Sequence, residues 1–192
     1  MLESPSHSDG DLLRLLSRGD KEAFVQFYRR HQGAVYRFAL QMSGRAEIAE
    51  EVTQDVFMVV MRASGQYDEQ RGSVLGYLYG IARNVMLRAL ERERPYAAAL
   101  DDGEGGPASQ LAMGQDLAAE LANNERVEIL RKAVLALPPA YREAVVLCDL
   151  HEMDYADAAV TLNCPVGTIR SRLHRGRALL LEKMRAAERC PA

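Results

Sequence analysis

The chain has 192 residues, a formal net charge of -3 and 48% hydrophobic residues, enough for one ordinary domain or two small ones. No stretch approaches the roughly 18 consecutive apolar residues of a membrane span, and the polar, acidic start MLESPSHSDGD is unlike a signal or transit peptide; a cytoplasmic protein without membrane insertion is expected. Cys148, Cys164 and Cys190 are odd in number and hold no C-x-x-C spacing, which argues against a disulfide framework and against a zinc site.

Helical period sets in over 11–42 and breaks at Gly19-Asp20, where Asp20 can cap a new helix. The inward stripe after that cap is Ala23, Phe24, Phe27, Tyr28, His31, Val35, Phe38, Ala39 and Met42, at steps of three and four. Ser43-Gly44 ends it, glycine supplying the left-handed cap. The next helix is 46–63, with Ile48, Val52, Val56, Val59 and Val60 inward and Glu47, Glu50, Glu51 and Asp55 outward. YDEQRGS, at 67–73, reads as a polar loop. The period then restarts through Leu75, Leu78, Ala82, Val85 and Ala89. Alternation of period two is sustained nowhere, so an all-α fold is predicted.

After Pro95 the pattern lapses. DDGEGGPASQ, at 101–110, is acidic and rich in Gly, Ser and Pro, the composition of a flexible linker. The expected organisation is a helical domain over 1–94, a linker over 95–123 and a second helical domain over 124–192. Helical patterning resumes by Leu117 and runs to Leu137. Pro138-Pro139 opens the following helix, 141–150.

The segment DYADAAVTLNCPVGTIRSRLHRGR has the layout of a helix-turn-helix. Asp154 can cap a helix that turns Ala158, Ala159 and Leu162 inward, Asn163 tolerates the left-handed turn, and Pro165 opens the second helix. Val166, Ile169, Leu173 and Leu180 lie on one side of that helix, together with Gly176. Gly167, Thr168, Ser171, His174 and Arg175 point away, and Arg170 and Arg172 flank the apolar stripe.

Charge is divided along the chain. Over 95–128, Asp101, Asp102, Glu104, Asp116, Glu120, Glu125 and Glu128 stand against the single base Arg126. Over 165–189, Arg170, Arg172, Arg175, Arg177, Lys183, Arg185 and Arg189 stand against Glu182 and Glu188. A basic outer face on the second helix of such a motif suits the major groove of DNA, where arginine bonds a guanine edge. The alternative is an αα-hairpin with a solvated basic face.

LPPAYREAVVL (137–147) and NCPVGTIRSRLHRGR (163–177), preceded in order by GDKEAFVQFYRRH, AEEVTQDVF and YLYGIARN, resemble the extracytoplasmic-function sigma factors, the compact group of bacterial RNA polymerase sigma subunits (sigma-70 family, group IV). The resemblance covers roughly 11–94 and 124–185. It implies that Glu51, Gln54 and Asp55 meet the clamp helices of core RNA polymerase. It also implies that 67–94 captures an unpaired base of the minus-ten element in the melted non-template strand, through Tyr67, Tyr77, Asn84, Arg88 and Arg92. For each tyrosine of this segment, Tyr79 included, core burial and base stacking are both open. The minus-thirty-five element in duplex promoter DNA falls to Thr168, Arg170, Ser171, Arg172, His174, Arg175 and Arg177. An anti-sigma factor is a further partner that the resemblance implies.

The sequence departs from the family's usual pattern in three places: Tyr77-Leu78 for tryptophan-leucine, Tyr155-Ala156-Asp157-Ala158-Ala159 for Y-x-E-I-A, and Arg175-Gly176-Arg177 for R-A-R. No P-loop, dinucleotide fingerprint or nucleophile–base pair stands at recognisable spacing, so neither catalysis nor a cofactor is expected. Two readings compete with the leading one: a helix-turn-helix regulator that acts without replacing a sigma subunit, and a sigma-mimicking adaptor that sequesters an anti-sigma partner. The helix AEEVTQDVF argues against the first, and the arginines of 170–177 argue against the second.

Overall fold

The computed structural model describes residues 7–97 and 117–189, with side chains over 7–91 and 125–187. The stretch expected to be a linker lies mostly outside the described residues. Eight α-helices and no strand occur among those described: α1 (Asp9–Ser17), α2 (Lys21–Ser43), α3 (Ala46–Ala63), α4 (Val74–Ala97), α5 (Leu117–Leu135), α6 (Pro139–Val145), α7 (Tyr155–Thr161) and α8 (Val166–Arg189).

Local chemistry sets the ends. Helix α1 starts earlier than its hydrophobic period suggests, because Ser8 and Asp11 form a reciprocal capping box. Asp20 accepts the amides of Glu22 and Ala23 at 2.9 and 3.0 Å, which starts α2, and Gly44 closes it at φ 75°. The 67–73 loop holds one short 3-10 turn, Glu69–Arg71.

In the front block, α1 to α4, the predicted stripe of α2 is inside: Ala23, Phe27, His31, Val35, Phe38, Ala39 and Met42 are buried, with Phe24 and Tyr28 half-buried. They meet Ile48, Val52, Val56 and Val60 of α3 and Leu78, Ala82 and Met86 of α4. Each of the large aliphatic and phenylalanine side chains withdrawn from water contributes about 1.5–3 kcal/mol. Two expected inward residues are outside. Val59 is 36% exposed, because the buried arc of α3 centres on Ala49, Val56 and Val60 and leaves Val59 at its rim. Leu75 is 37% exposed; in this first turn Val74 packs on the core instead.

In the rear block, Tyr141 to Leu150 is not one α-helix. Helix α6 ends at Val145 and a π-helical turn spans Val146–Leu150, with the amide of His151 reaching the carbonyl of Val146 at 3.0 Å. Such turns add a residue to the helical repeat and re-aim the side chains beyond them. Here the widened turn directs Asp149 toward α8 and His151 toward the front block.

The buried cluster runs without a break from Leu12 through Leu173, through both blocks. Polar side chains also join them. His151 accepts from the Tyr79 hydroxyl at Nδ1 and reaches Gln41 Oε1 with Nε2, each at 2.8 Å, so one neutral tautomer satisfies both nitrogens. The ring also packs edge-on against Phe38. Arg142 donates to the carbonyls of Met42, Leu135 and Leu137. Arg83 meets Glu143 at 2.6 Å, and that carboxylate is nearly sealed from solvent.

Burial first, and the Arg37 charge second, push His151 down from 6.5 to about 4. The neutral ring therefore adds stability that is complete above pH 6.5 and is lost as pH falls from 6.5 toward 4. His31 is lowered in the same direction, by burial first and against the pull of Asp9. The thermal midpoint should fall as pH drops from 7 to 5. His151→Gln should make that fall shallower, the ring accounting for on the order of 3 kcal/mol at most.

Candidate nucleic-acid interface

Helices α7 and α8 form the expected helix-turn-helix. Asp154 accepts the amides of Ala156 and Asp157, each at 2.8 Å, and so starts α7. Asn163 turns the chain at φ 49°, with its amide on the carbonyl of Val160. The amide of Thr168 returns to Pro165 at 2.8 Å in the first turn of α8. Ala158, Ala159, Leu162, Ile169 and Leu173 fill the angle between the helices. Gly176 is buried where a Cβ would stand 2.9 Å from Val145 and 3.4 Å from Tyr141, so α8 lies against α6 at a distance only glycine permits.

The outward side of α8 carries Arg170, Ser171, His174 and Arg175, all exposed. Arg170 and His174 form one i,i+4 row and Ser171 and Arg175 the next, so four polar groups share one convex face. Thr168 and Arg172 are half-buried; Ser171 Oγ donates to the Thr168 carbonyl at 2.9 Å, and Arg172 Nη1 lies 3.9 Å from Cys164 Sγ. Arg177 differs from the rest. Its guanidinium forks onto Asp149 at 3.0 and 2.5 Å, and bonds to Asp149 and then Tyr155 raise its pKa further. This pair ties α8 to the π-helical turn.

A second site lies in the front block. A cleft of about 630 Å³ is lined by Tyr67, Arg71, Tyr77 and Asn84, with Asp157 and Asn163 on the opposite wall. Tyr67 and Tyr77 lean together, with ring centroids 5.5 Å apart, and donate to the carbonyls of Gly72 and Ala63. Burial raises both phenols. Tyr79 belongs to the core: it stacks on Phe38 at 5.0 Å, and burial pushes it up to about 12. Asn84 and Arg88 are exposed on α4, and the Arg92 side chain lies outside those described.

On α3, Glu51 and Gln54 are exposed and Asp55 is half-buried. Met58 and Met61, 43% and 49% exposed, share that side. The face therefore combines carboxylates with adaptable apolar side chains, a combination suited to a protein partner. Sequence reasoning placed the acids and missed the methionines, which carry no periodic signal when they stand outside the core stripe. It also passed over Asp149, Glu143 and Arg83, whose pairings join residues far apart in the chain.

Among the described residues, no three of His, Cys, Asp and Glu gather as a metal site. Cys148 and His151 stand at C-x-x-H spacing in the sequence; His151 is bonded through both nitrogens, and burial pushes Cys148 up to about 11, a thiol at neutral pH. No described helix is long and apolar enough to cross a membrane.

Residues 27–96 match the family model "Sigma-70 region 2", and residues 127–180 match "Sigma-70, region 4". The chain is 36% identical over 175 residues to the ECF RNA polymerase sigma factor SigE of Mycolicibacterium smegmatis, covering 84% of this chain and 63% of that protein, less than two thirds of its length. It is 31% identical to the ECF RNA polymerase sigma factor SigM of Mycobacterium tuberculosis, over 90% of this chain and 83% of that one. The solved sigma factor RpoE of Bartonella quintana, in complex with the anti-sigma factor NepR, is similar at 25% identity and a TM-score of 0.63, covering 84% of this chain and 96% of that one.

The packing at Gly176 yields a paired test. Gly176→Ala should lower the unfolding free energy by about 1–3 kcal/mol, because Val145 must move, seen as a lower thermal midpoint. Gly167→Ala, at an exposed position where a Cβ meets nothing within 4 Å, should leave the unfolding free energy unchanged or raise it by up to about 1 kcal/mol.

Proposed function

The chain belongs to the extracytoplasmic-function sigma factors, and we propose that it binds core RNA polymerase and directs transcription initiation by reading two promoter elements. The observation that carries this reading is the exposed face of α8, with Arg170, Ser171, His174 and Arg175 on a helix-turn-helix, in a chain whose two halves match sigma regions 2 and 4 in order. That face reads the minus-thirty-five element in the major groove, Arg175 and Arg170 bonding base edges or phosphates and Ser171 and His174 completing the contact. Thr168 and Arg172 support the face from its edge, and Arg177 holds its angle through Asp149.

The front block reads the minus-ten element. Asn84 faces the cleft and meets an unpaired base, Tyr67 and Tyr77 offer a stacking surface, and Arg71, Arg88 and Arg92 attract the strand. Glu51, Gln54 and Asp55, together with Met58 and Met61, dock on core polymerase. The division into 1–94, 95–123 and 124–192 belongs to the same proposal: two weak DNA contacts joined by a tether bind tightly only when both engage. The protein acts in the cytoplasm beside its polymerase and performs no covalent chemistry of its own. An anti-sigma partner fits this reading, since RpoE of Bartonella quintana was solved with one.

In vitro transcription with purified core polymerase and a broad promoter library tests the proposal. The wild-type chain should direct initiation, and Arg175→Ala and Asn84→Ala should each lower it about tenfold, the loss of one bidentate or base contact. Binding of duplex DNA without initiation at any promoter would favour a helix-turn-helix regulator that acts without replacing a sigma subunit.

A further inference from the structure

A cavity of about 230 Å³ lies between α2 and α5, and its walls are mostly hydrocarbon. Leu40 comes from α2, Val127, Leu130 and Val134 from α5, and Leu150 from the π-helical turn. The polar residues of the lining are Arg37, Gln41 and Arg131, with no carboxylate among them.

Each of these three has a donor to spare. Arg131 Nε is shut off from solvent and makes no hydrogen bond; Glu128 Oε2 stands 3.4 Å away, outside bonding geometry. A buried donor without an acceptor is uncommon in native proteins and calls for a cause. The charge of Arg37 is felt at Tyr79 and His151, yet no described carboxylate pairs with it. The Gln41 oxygen is taken by His151 Nε2 at 2.8 Å, which leaves its amide hydrogens as donors.

Two guanidinium groups and an amide around an apolar hollow ask for one acceptor on a hydrocarbon body. A carboxylate supplies it, since its two oxygens match the guanidinium fork in charge-assisted bonds. A dianionic phosphate fits worse, because two charges would lose water against walls that return little. The cavity is smaller than the roughly 300–1,000 Å³ of drug-sized sites, so the body is short.

From this we infer that the cavity is a binding site for a small apolar carboxylic acid. Its chain lies among Leu40, Leu130, Val134 and Leu150, and its carboxylate meets Arg131 and Arg37. None of the residues assigned above to promoter DNA or polymerase lines this cavity, so the site and the sigma-factor reading stand or fall separately.

The test titrates the full chain with sodium octanoate and, separately, with 1-octanol, which has the same chain and no carboxylate. Proton–nitrogen NMR follows the Arg131 Nε–H and the amides of Leu40 and Val134. Octanoate should move all three signals saturably and bind about tenfold more tightly than 1-octanol, the worth of one charge-assisted hydrogen bond. Arg131→Met should remove that preference and leave 1-octanol binding as it was. Val127→Asp, at a wall position that is 56% exposed and so tolerant of change, should weaken both ligands. Equal affinity of the wild-type chain for octanoate and 1-octanol overturns the inference, as does an Arg131 Nε–H signal that never moves. A preference that survives in Arg131→Met overturns it too. Sedimentation velocity completes the test: octanoate shifts that only accompany dissociation of a dimer would give this face to a second copy of the chain and overturn the site.

Discussion

A carboxylate that is 6% exposed, Glu143, is tolerable inside a protein only because Arg83 reaches it from the other block. That pairing, the bond from Arg142 to the Met42 carbonyl and the Tyr79–His151–Gln41 chain make the seam between the blocks polar rather than purely apolar. A polar seam of this kind specifies one docking geometry, because a shifted interface would leave charges unpaired. The arrangement of the Tyr67–Asn84 cleft depends on it, since the seam sets where α7 lies against α4.

The same economy of contacts governs the reading helix. Helix α8 is seated on α6 by the missing side chain at Gly176 and is held in azimuth by the fork of Arg177 on Asp149. Asp149 is available because the helix widens into a π-helical turn at Val146–Leu150. One irregular turn thus supplies an anchor to α8 on one side and His151 to the front block on the other. Of the arginines in this run, Arg170 and Arg175 are exposed, Arg172 is half-buried at the edge and Arg177 is paired with Asp149.

Helical segments, caps and the helix-turn-helix were legible in the chain because each depends on neighbours within a turn or two. Asp20 and Asp154 cap the helices they precede, Asn163 adopts the left-handed turn, and the α2 stripe is buried as its spacing requires. The Ser8–Asp11 box is also local and could have been found from its spacing. The outward face of α8 was given by about 100° per residue alone. Val59 and Leu75 escaped because periodicity locates the centre of a buried arc well and its rim poorly.

The sequence by itself determined the inventory: an all-α chain, a DNA-reading helix with its polar side chains in register, and the motifs of a sigma factor in order. The tertiary structure alone decided which partners those residues have. Arg177 is paired with Asp149, Tyr79 with His151 and Phe38, and Arg83 with Glu143, the polar pairings lying 28, 72 and 60 residues apart. No helical period reports such separations. They are chosen by the desolvation of charges and rings as the two blocks close, a property of the packed interface rather than of any one segment.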